Sequence, residues 1–465
     1  MWMVKSDTLG HYCGVVGIYS AEKVNLPEWL YYGLFSLQHR GQESTGIVYK
    51  KNDHMVMYKD LGMVSQVLSK YLTGEHLSNI GIGHVRYSTH GGNLLENAQP
   101  IIVNCNKGDI ALAHNGNLSN TNELKSHLVE EGSIFQSTSD TELILHMIAR
   151  SRKNSFHEAL VETLKRLEGA FSMAMIHNET LYAIRDRNGF RPLYIGKKGP
   201  HTVIASETCA LDILKIHDYR EVKPGEIVKV DAGGEANEFF AEPQKTNHCV
   251  FEQIYFARPD SEVFGEPVYA MRKKMGAALA RLDEHEGDIV VPVPDSGNTA
   301  AIGYAEESGI PFEMGLTRSH YAGRSFIMPR IDQRELMVRM KLAPVKSLIS
   351  GKRIILIDDS LVRGTTSKIL IGLLREAGAK EVHLRLSSPE LKWPCFFGID
   401  IPTRKELISN HHTPEQIAQI VGADSLKFLP IEELFNVLET REKHCFACFN
   451  GKYPVPVPPI PAIDE

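Results

Sequence analysis

The apolar positions of the chain fall into two rhythms. Over residues 13–240, short apolar stretches stand between Gly, Asn and Asp turn residues: "CGVVGIY", "IGIGHVRYS", "DIALAHNGNL", "FSMAMIHNETLYAIRD", "LYIG" and "TVIASE". Such runs predict strands, mostly antiparallel. Helices interrupt them. "LPEWLYYGLFSLQHRG" brings Leu26, Leu30, Leu34 and Leu37 near one face, the mark of an amphipathic helix. "STSDTELILHMIARS" opens with Ser139 and Glu142 at capping-box spacing, which predicts a second helix. After about residue 245 the units lengthen. "GDIVVPVPDSGNTAAIGYAEESG" reads as strand, loop, helix, and "KRIILIDDSLVRGTTSKILIGLLREAGAKEVHLRLSS" as strand, loop, helix, strand. That is the βαβ pattern of a parallel sheet. The expectation is an α+β part, a change of architecture near 240–250, and an α/β part. The closing "GKYPVPVPPIPAIDE" is proline-rich and predicts an extended tail.

Composition narrows the function classes. The chain has 465 residues, 43% hydrophobic and 23% charged, an ordinary globular balance with room for two or three domains. Lys and Arg number 51 against 57 Asp and Glu, a formal net charge of −6. That argues against a nucleic-acid surface as the main feature. No apolar run approaches the roughly 18 residues a membrane-spanning helix needs. Lys5, Ser6 and Asp7 break the stretch where a signal peptide would need its apolar core. A cytoplasmic protein without membrane contact is expected. Seven cysteines, at 13, 105, 209, 249, 395, 445 and 448, are too few for a disulfide scaffold.

The most informative string is "RIILIDDSLVRGTTS". An apolar strand ends in two carboxylates, Asp358 and Asp359. A loop with Arg363, Gly364, Thr365, Thr366 and Ser367 then opens a helix. Parallel sheets bind ligands at the carboxyl ends of their strands. A glycine-hydroxyl loop at a helix start offers free N–H groups to a phosphate. Paired carboxylates accept from a vicinal diol or hold Mg²⁺. The string resembles the PRPP-binding motif of the type I phosphoribosyltransferases. In that family the carboxylates contact the ribose hydroxyls and the Gly-Thr-Thr loop holds the 5′-phosphate. "PVPDSGNTAA" resembles the same family's pyrophosphate and metal segment, with Ser296 as a metal contact. "SHYAGRSFIMPRIDQRELMVRMKLAP" is an arginine-rich stretch suited to covering a polyanion, with Arg324 and Lys341 as the expected cations. Arg318-Ser319-His320-Tyr321 stands where the family often has Lys-Asn-Arg-Tyr. Arg for Lys keeps the charge and changes the phosphate geometry.

The first half carries a second constellation. Cys13, "HRGQES", "GHVRYST" with Arg86, "AHNGNL" with Asn115 and Gly116, and "STSDTE" with Asp140 occur in that order. Together they resemble the class II glutamine amidotransferases, which are N-terminal-nucleophile hydrolases of αββα fold. Amide hydrolysis needs a nucleophile, a base and an oxyanion hole. The resemblance makes Cys13 the nucleophile and, once it is the first residue, its α-amino group the base, at a reference pKa of about 8. Asn115 and Gly116 become oxyanion donors. Arg86 clamps the glutamine carboxylate, and Asp140 pairs its ammonium group.

A class II glutaminase joined to a PRPP site resembles the amidophosphoribosyltransferase family, in its iron–sulfur, propeptide-containing subgroup. The implied division is a propeptide over 1–12, a glutamine amidotransferase domain over 13–245 and a type I phosphoribosyltransferase domain over 246–465. The implied reaction converts glutamine and PRPP into 5-phosphoribosylamine, glutamate and pyrophosphate, with one Mg²⁺ per subunit. Tyr255 and Arg258 in "EQIYFARPDS" are implied to couple the two sites. Cys445 and Cys448 stand at Cys-x-x-Cys spacing. With Cys249 and Cys395 they make four thiolates that suit either [4Fe–4S] or Zn²⁺; the resemblance favours the cluster. It also implies feedback by purine nucleotides and a homotetramer. The alternative is a non-catalytic PRPP-binding regulator of purine genes, which would need a DNA-binding module. A third reading is a stand-alone glutaminase whose second half only binds nucleotides.

Overall fold

The computed structural model describes residues 11–88, 94–242, 245–284, 286–319 and 338–463. Arg324 and the first ten residues of the leader lie outside them. Among the described residues the first half is two facing antiparallel sheets. Strands β1 (His11–Asn25), β2 (Ser44–Lys51) and β3 (Leu77–Ser88) form the middle of a seven-stranded sheet in the order β1-β3-β2. His54–Leu61 lies beyond β2, and His201–Ala205, Tyr194–Lys198 and Asp218–Glu221 lie beyond β1. Strands β4 (Gly108–Leu118), β5 (Gly169–His177) and β6 (Thr180–Arg185) form the middle of a six-stranded sheet.

Alternation along each strand decides what it covers. Val15 of β1 points between the sheets and joins Val48, Ile80, Ala111, Ala113 and Ile176 in a fully buried layer. Val16 and Ile18 point outward, against helix α1 (Leu26–Ser36). Leu26, Leu30, Leu34 and Leu37 are all fully buried there, as their spacing predicts. On the far side, Ile110, Leu112, Met173 and Met175 face α2 (Asp140–Arg150) and the helices Thr121–Glu130 and Phe156–Arg166. The result is the αββα sandwich expected.

The chain then runs through the two-residue strand β7 (His248–Cys249) and a single π-helical turn, Glu252–Phe256. Helix α3 (Val268–Arg281), strand β8 (Ile289–Pro292), helix α4 (Asn298–Ser308), strand β9 (Arg353–Asp358) and helix α5 (Thr365–Glu376) follow. Strands β8 and β9 continue into Glu381–Leu386 and Ser425–Phe428 as a four-stranded parallel sheet. Both faces are covered, so the strands read as unbroken apolar runs. Ile355 and Ile357 face Met275, Ala301 and Tyr304 of α3 and α4, while Ile354 and Leu356 face Leu370, Ile371 and Leu374 of α5. Finally β10 (His444–Cys445) returns to pair in parallel with β7. The proline-rich end forms no helix or strand among its described residues, yet it packs down: the Tyr453 hydroxyl donates to Pro394 O at 2.7 Å.

Candidate functional site

Cys13 sits on β1 opposite Arg86 of β3 and is 1% exposed. The strand begins before it: His11 and Tyr12 pair with Ser88 and Tyr87. The end of the leader is thus part of the sheet, where the sequence offered no pattern for it. Burial pushes the Cys13 thiol up to about 12, Arg86 pulls it down, Asp140 pushes it up and Arg191 pulls it down. The thiol is therefore neutral at pH 7 and needs a base to become a nucleophile. Arg86 and Asp140 are thus both close enough to act on the sulfur. Arg86 is 3% exposed, with a Glu43 oxygen at 4.0 Å.

Asp140 opens α2. Its carboxylate accepts from Leu118 N at 3.1 Å and meets His114 Nδ1 at 3.3 Å. Ser139 caps the helix by accepting from Thr141 N at 3.2 Å. Glu142 does not complete the capping box. Its carboxylate instead takes the N–H groups of Gln136 and Ser137, at 2.8 and 2.7 Å, in the loop before the helix.

Asn115 and Gly116 are neighbours on β4. Asn115 is fully buried, and both polar atoms of its amide lack a hydrogen-bond partner among the described residues. Leaving such a group unpaired costs about 1–3 kcal/mol, so an orphaned amide beside a nucleophile's strand marks a place held for a ligand. Gly116 adopts φ +149°, and a Cβ there would lie 2.1 Å from Ala170 O on β5. Only glycine lets the two strands pair at this point.

Behind Cys13 lies a set of fully buried charges that sequence reasoning did not assign. Arg40 Nε donates to Cys13 O at 2.9 Å. The rest of its guanidinium binds Glu252, at 2.7 and 3.1 Å, and Glu207. Arg191 Nη1 meets the same Glu252 carboxylate at 3.2 Å. His39 Nε2 meets Glu207 at 2.7 Å, and Arg258 N and Ser261 Oγ also donate to Glu207. Burial opposes ionisation of Glu207, but His39 and Arg40 outweigh it and hold the carboxyl well below its usual range. Arg40 stands 167 residues from Glu207 and 212 from Glu252 in sequence, and charges at such separations carry no pattern.

In the second half, Asp358 ends β9 and Asp359 follows, both under 10% exposed. Ser296 Oγ donates to Asp358 at 3.4 Å, and Ser360 Oγ to Asp359 at 2.5 Å. Burial raises both carboxyls, and each acts on the other. Arg272 pulls Asp359 back down. Two desolvated carboxylates this close call for a cation or for hydroxyl donors. Gly364, at φ +74°, turns the chain into α5, leaving Thr365 and Thr366 exposed at its first turn and Ser367 buried. Arg363 reaches away to Glu406 at 2.5 Å.

A cleft of about 550 Å³ is lined from both halves of the chain. His39 and Gln42 line it from the first half, Tyr255, Phe256, Arg258 and Arg272 from the middle, and Ser296, Arg318 and Lys341 from the second. Tyr255 and Arg258, expected from the resemblance to couple the two sites, both line this cleft. Arg318 is held by Asp295 at the rim.

Cys249, Cys395, Cys445 and Cys448 line one cavity walled by Phe190, Phe251, Phe397, Ile399, Ile401 and Tyr453. Burial raises all four thiols, and the three others raise Cys448 further. Cys249 and Cys445 are register partners across β7 and β10. Among the described residues no three His, Cys, Asp or Glu side chains close on one point as a single metal ion requires. Cys209 is buried beside Glu207, and Cys105 is half-buried at a hairpin. No helix among the described residues is long and apolar enough to cross a membrane.

Comparison with known proteins covers both halves. A family model for the glutamine amidotransferase domain matches residues 84–212. The chain is 44% identical over 462 residues to the amidophosphoribosyltransferase of Methanocaldococcus jannaschii, covering 96% of this chain and 98% of that protein. It is 45% identical over 455 residues to the chloroplastic amidophosphoribosyltransferase 3 of Arabidopsis thaliana, covering 97% and 85%. Among solved structures, the glutamine PRPP amidotransferase from B. subtilis complexed with ADP and GMP superposes with a TM-score of 0.88 at 44% identity, over 95% of this chain and 97% of that one.

Proposed function

Because the chain belongs to the amidophosphoribosyltransferase family, whose activity is the first step of purine biosynthesis, we propose how its residues divide that reaction. Residues 13–245 hydrolyse glutamine and residues 246–465 aminate PRPP. The observation that carries the glutaminase assignment is the environment of Cys13: a buried neutral thiol with Arg86 and Asp140 acting on it. Those two side chains match the carboxylate and ammonium of a free amino acid.

Scission of the Tyr12–Cys13 bond frees the α-amino group that takes the thiol proton. The sulfur attacks the side-chain carbonyl, and the Asn115 amide and Gly116 N–H receive the oxyanion. Ammonia leaves, and water hydrolyses the thioester to glutamate. The cleft past His39, Tyr255 and Phe256 shelters ammonia on its way to C1 of PRPP. There it displaces pyrophosphate and gives 5-phosphoribosylamine. Asp358 and Asp359 hold the ribose hydroxyls, the Gly364–Ser367 loop holds the 5′-phosphate, Arg363 joins it on leaving Glu406, and Lys341 takes the pyrophosphate, a role also assigned to Arg324 outside the described residues. Ser296, Asp358 and Asp359 would hold Mg²⁺, which would supply positive charge to the leaving group; two adjacent carboxyls, both raised by burial, fit such a cation.

Four thiols in one apolar cavity, with no carboxylate among its lining, fit a soft metal centre. Four thiolates suit either [4Fe–4S] or Zn²⁺, and the family resemblance favours the cluster. The proposal extends to purine-nucleotide feedback, a homotetramer and a cytoplasmic location. The regulator reading has no support left, since enzymes match 96% of the chain.

The test is Cys13→Ala in the purified protein. Glutamine-dependent synthesis of phosphoribosylamine should fall to background while ammonia-dependent synthesis persists. Loss of both activities, or of neither, refutes the division. Intact mass and an ultraviolet–visible spectrum of the wild type report scission and cluster together.

A further inference from the structure

The cysteine-lined lobe and Cys13 share one chain of buried charges. From the nucleophile outward, Cys13 O accepts from Arg40, Arg40 binds Glu252, and Glu252 binds Arg191. Arg191 Nη2 then donates to Gly398 O at 3.1 Å, three residues past Cys395. All three charged side chains are fully buried. A second tie runs alongside: Cys249 N donates to Phe190 O at 3.0 Å, and Phe190 stacks on Phe397 at 4.3 Å.

Fully buried charges are costly unless closely paired. Here one carboxylate serves two guanidiniums that belong to opposite ends of the assembly, Arg40 at the nucleophile and Arg191 at the lobe. Neither arginine can shift without loosening the other's partner. A displacement of the Cys395 loop therefore passes to the backbone of Cys13 without touching glutamine.

We propose that Glu252 and Arg191 are positioning residues that make the reactivity of Cys13 depend on the seating of the cysteine-lined lobe. This rests on the glutaminase reading of Cys13. Glu252 touches no substrate in this scheme; it acts through Arg40 on the position of the nucleophile.

The test is a double-variant cycle in the full-length protein, with Glu252→Gln, Phe397→Ala and the pair. Glu252→Gln keeps the shape and removes the shared charge. Phe397→Ala loosens the lobe without touching the charged chain. The readout is the rate of Cys13 alkylation by iodoacetamide from pH 6 to 9, followed at the Cys13 peptide by mass spectrometry, together with the split between kcat and KM for glutamine. Phe397→Ala should slow alkylation about tenfold and lower kcat with KM little changed. In the Glu252→Gln background the same change should have less than a twofold effect. An equal effect in both backgrounds, or none in the wild-type background, overturns the proposal. Where Phe397→Ala does not accumulate as folded protein, Phe397→Leu takes its place under the same criteria. Wild-type protein without PRPP-dependent glutaminase activity would refute the functional reading instead, and the absence of iron would refute the cluster. The cycle compares protein side chains and decides in either case.

Discussion

Asn115 shows how much one side chain's surroundings can say. An amide with both polar atoms buried and unpartnered is a cost the fold carries for a ligand. Asn115→Ala should lower glutamine-dependent kcat about 10²–10³-fold, the range for an oxyanion donor, with glutamine KM nearly unchanged in steady-state assays. Glu207 makes the complementary case, a carboxylate held ionised by His39 and Arg40 against its burial. A carboxyl depressed in the fold stabilises above its unfolded pKa, about 4.3, and loses that contribution as pH falls toward its folded value. Glu207→Gln leaves Arg40 one buried partner short. It should cost about 3–5 kcal/mol at pH 7, and denaturant titrations should show the gap to wild type narrowing below about pH 4. Asn115 was legible in sequence because it stands in a string, Asn-Gly between His114 and Asn117. Arg40, Glu207 and Glu252 stand in the strings "HRGQES", "TVIASE" and "EQIYFARPDS", but their roles and that of Arg191 were not legible, because their pairing arises only when distant segments meet.

At the level of elements, contiguity decided what could be read. The strand, acidic pair, glycine turn and helix from Arg353 to Glu376 lie in one piece, and the structure keeps that order. Leu26, Leu30, Leu34 and Leu37 announced α1 through period alone. The Ser139–Glu142 pair places the helix start and Ser139 caps it, but Glu142 binds the N–H groups of Gln136 and Ser137 instead of closing the box. Helices α3 and α4 hide a constraint that no periodicity reveals. A Cβ on Gly276 would lie 1.8 Å from Ala300 O, and one on Gly303 2.0 Å from Lys273 O. The helices thus meet backbone to backbone, and α4 begins two residues after Ser296. Gly276→Ala should destabilise by about 3 kcal/mol, the upper end of overpacking. It should also raise the KM for PRPP, since moving α4 moves the Ser296 loop; thermal unfolding and ammonia-dependent kinetics check the two parts separately.

Across the whole molecule, the cysteine-lined cavity is the place where remote parts of the chain converge. Its walls come from Phe190 of the first half, Cys249 and Phe251 of the connection, Cys395 to Ile401 between the last two strands of the parallel sheet, and Cys445 to Tyr453 near the end. Chelating iron under oxidising conditions should bleach the visible spectrum and lower Tm by about 5 °C or more, as expected for a few kcal/mol in a domain of this size. Cys395→Ser should reproduce that loss without a chelator. The parallel pairing of His248-Cys249 with His444-Cys445 joins positions 196 residues apart. A chain emerging from the ribosome makes the two antiparallel sheets long before it makes Cys445, and the last strand of the parallel sheet, Ser425–Phe428, just ahead of it. A prematurely terminated copy would own both catalytic surfaces and lack the wall that seats them. Full-length synthesis is thereby written into the folded state, and the last cysteines to be translated certify that a copy is complete.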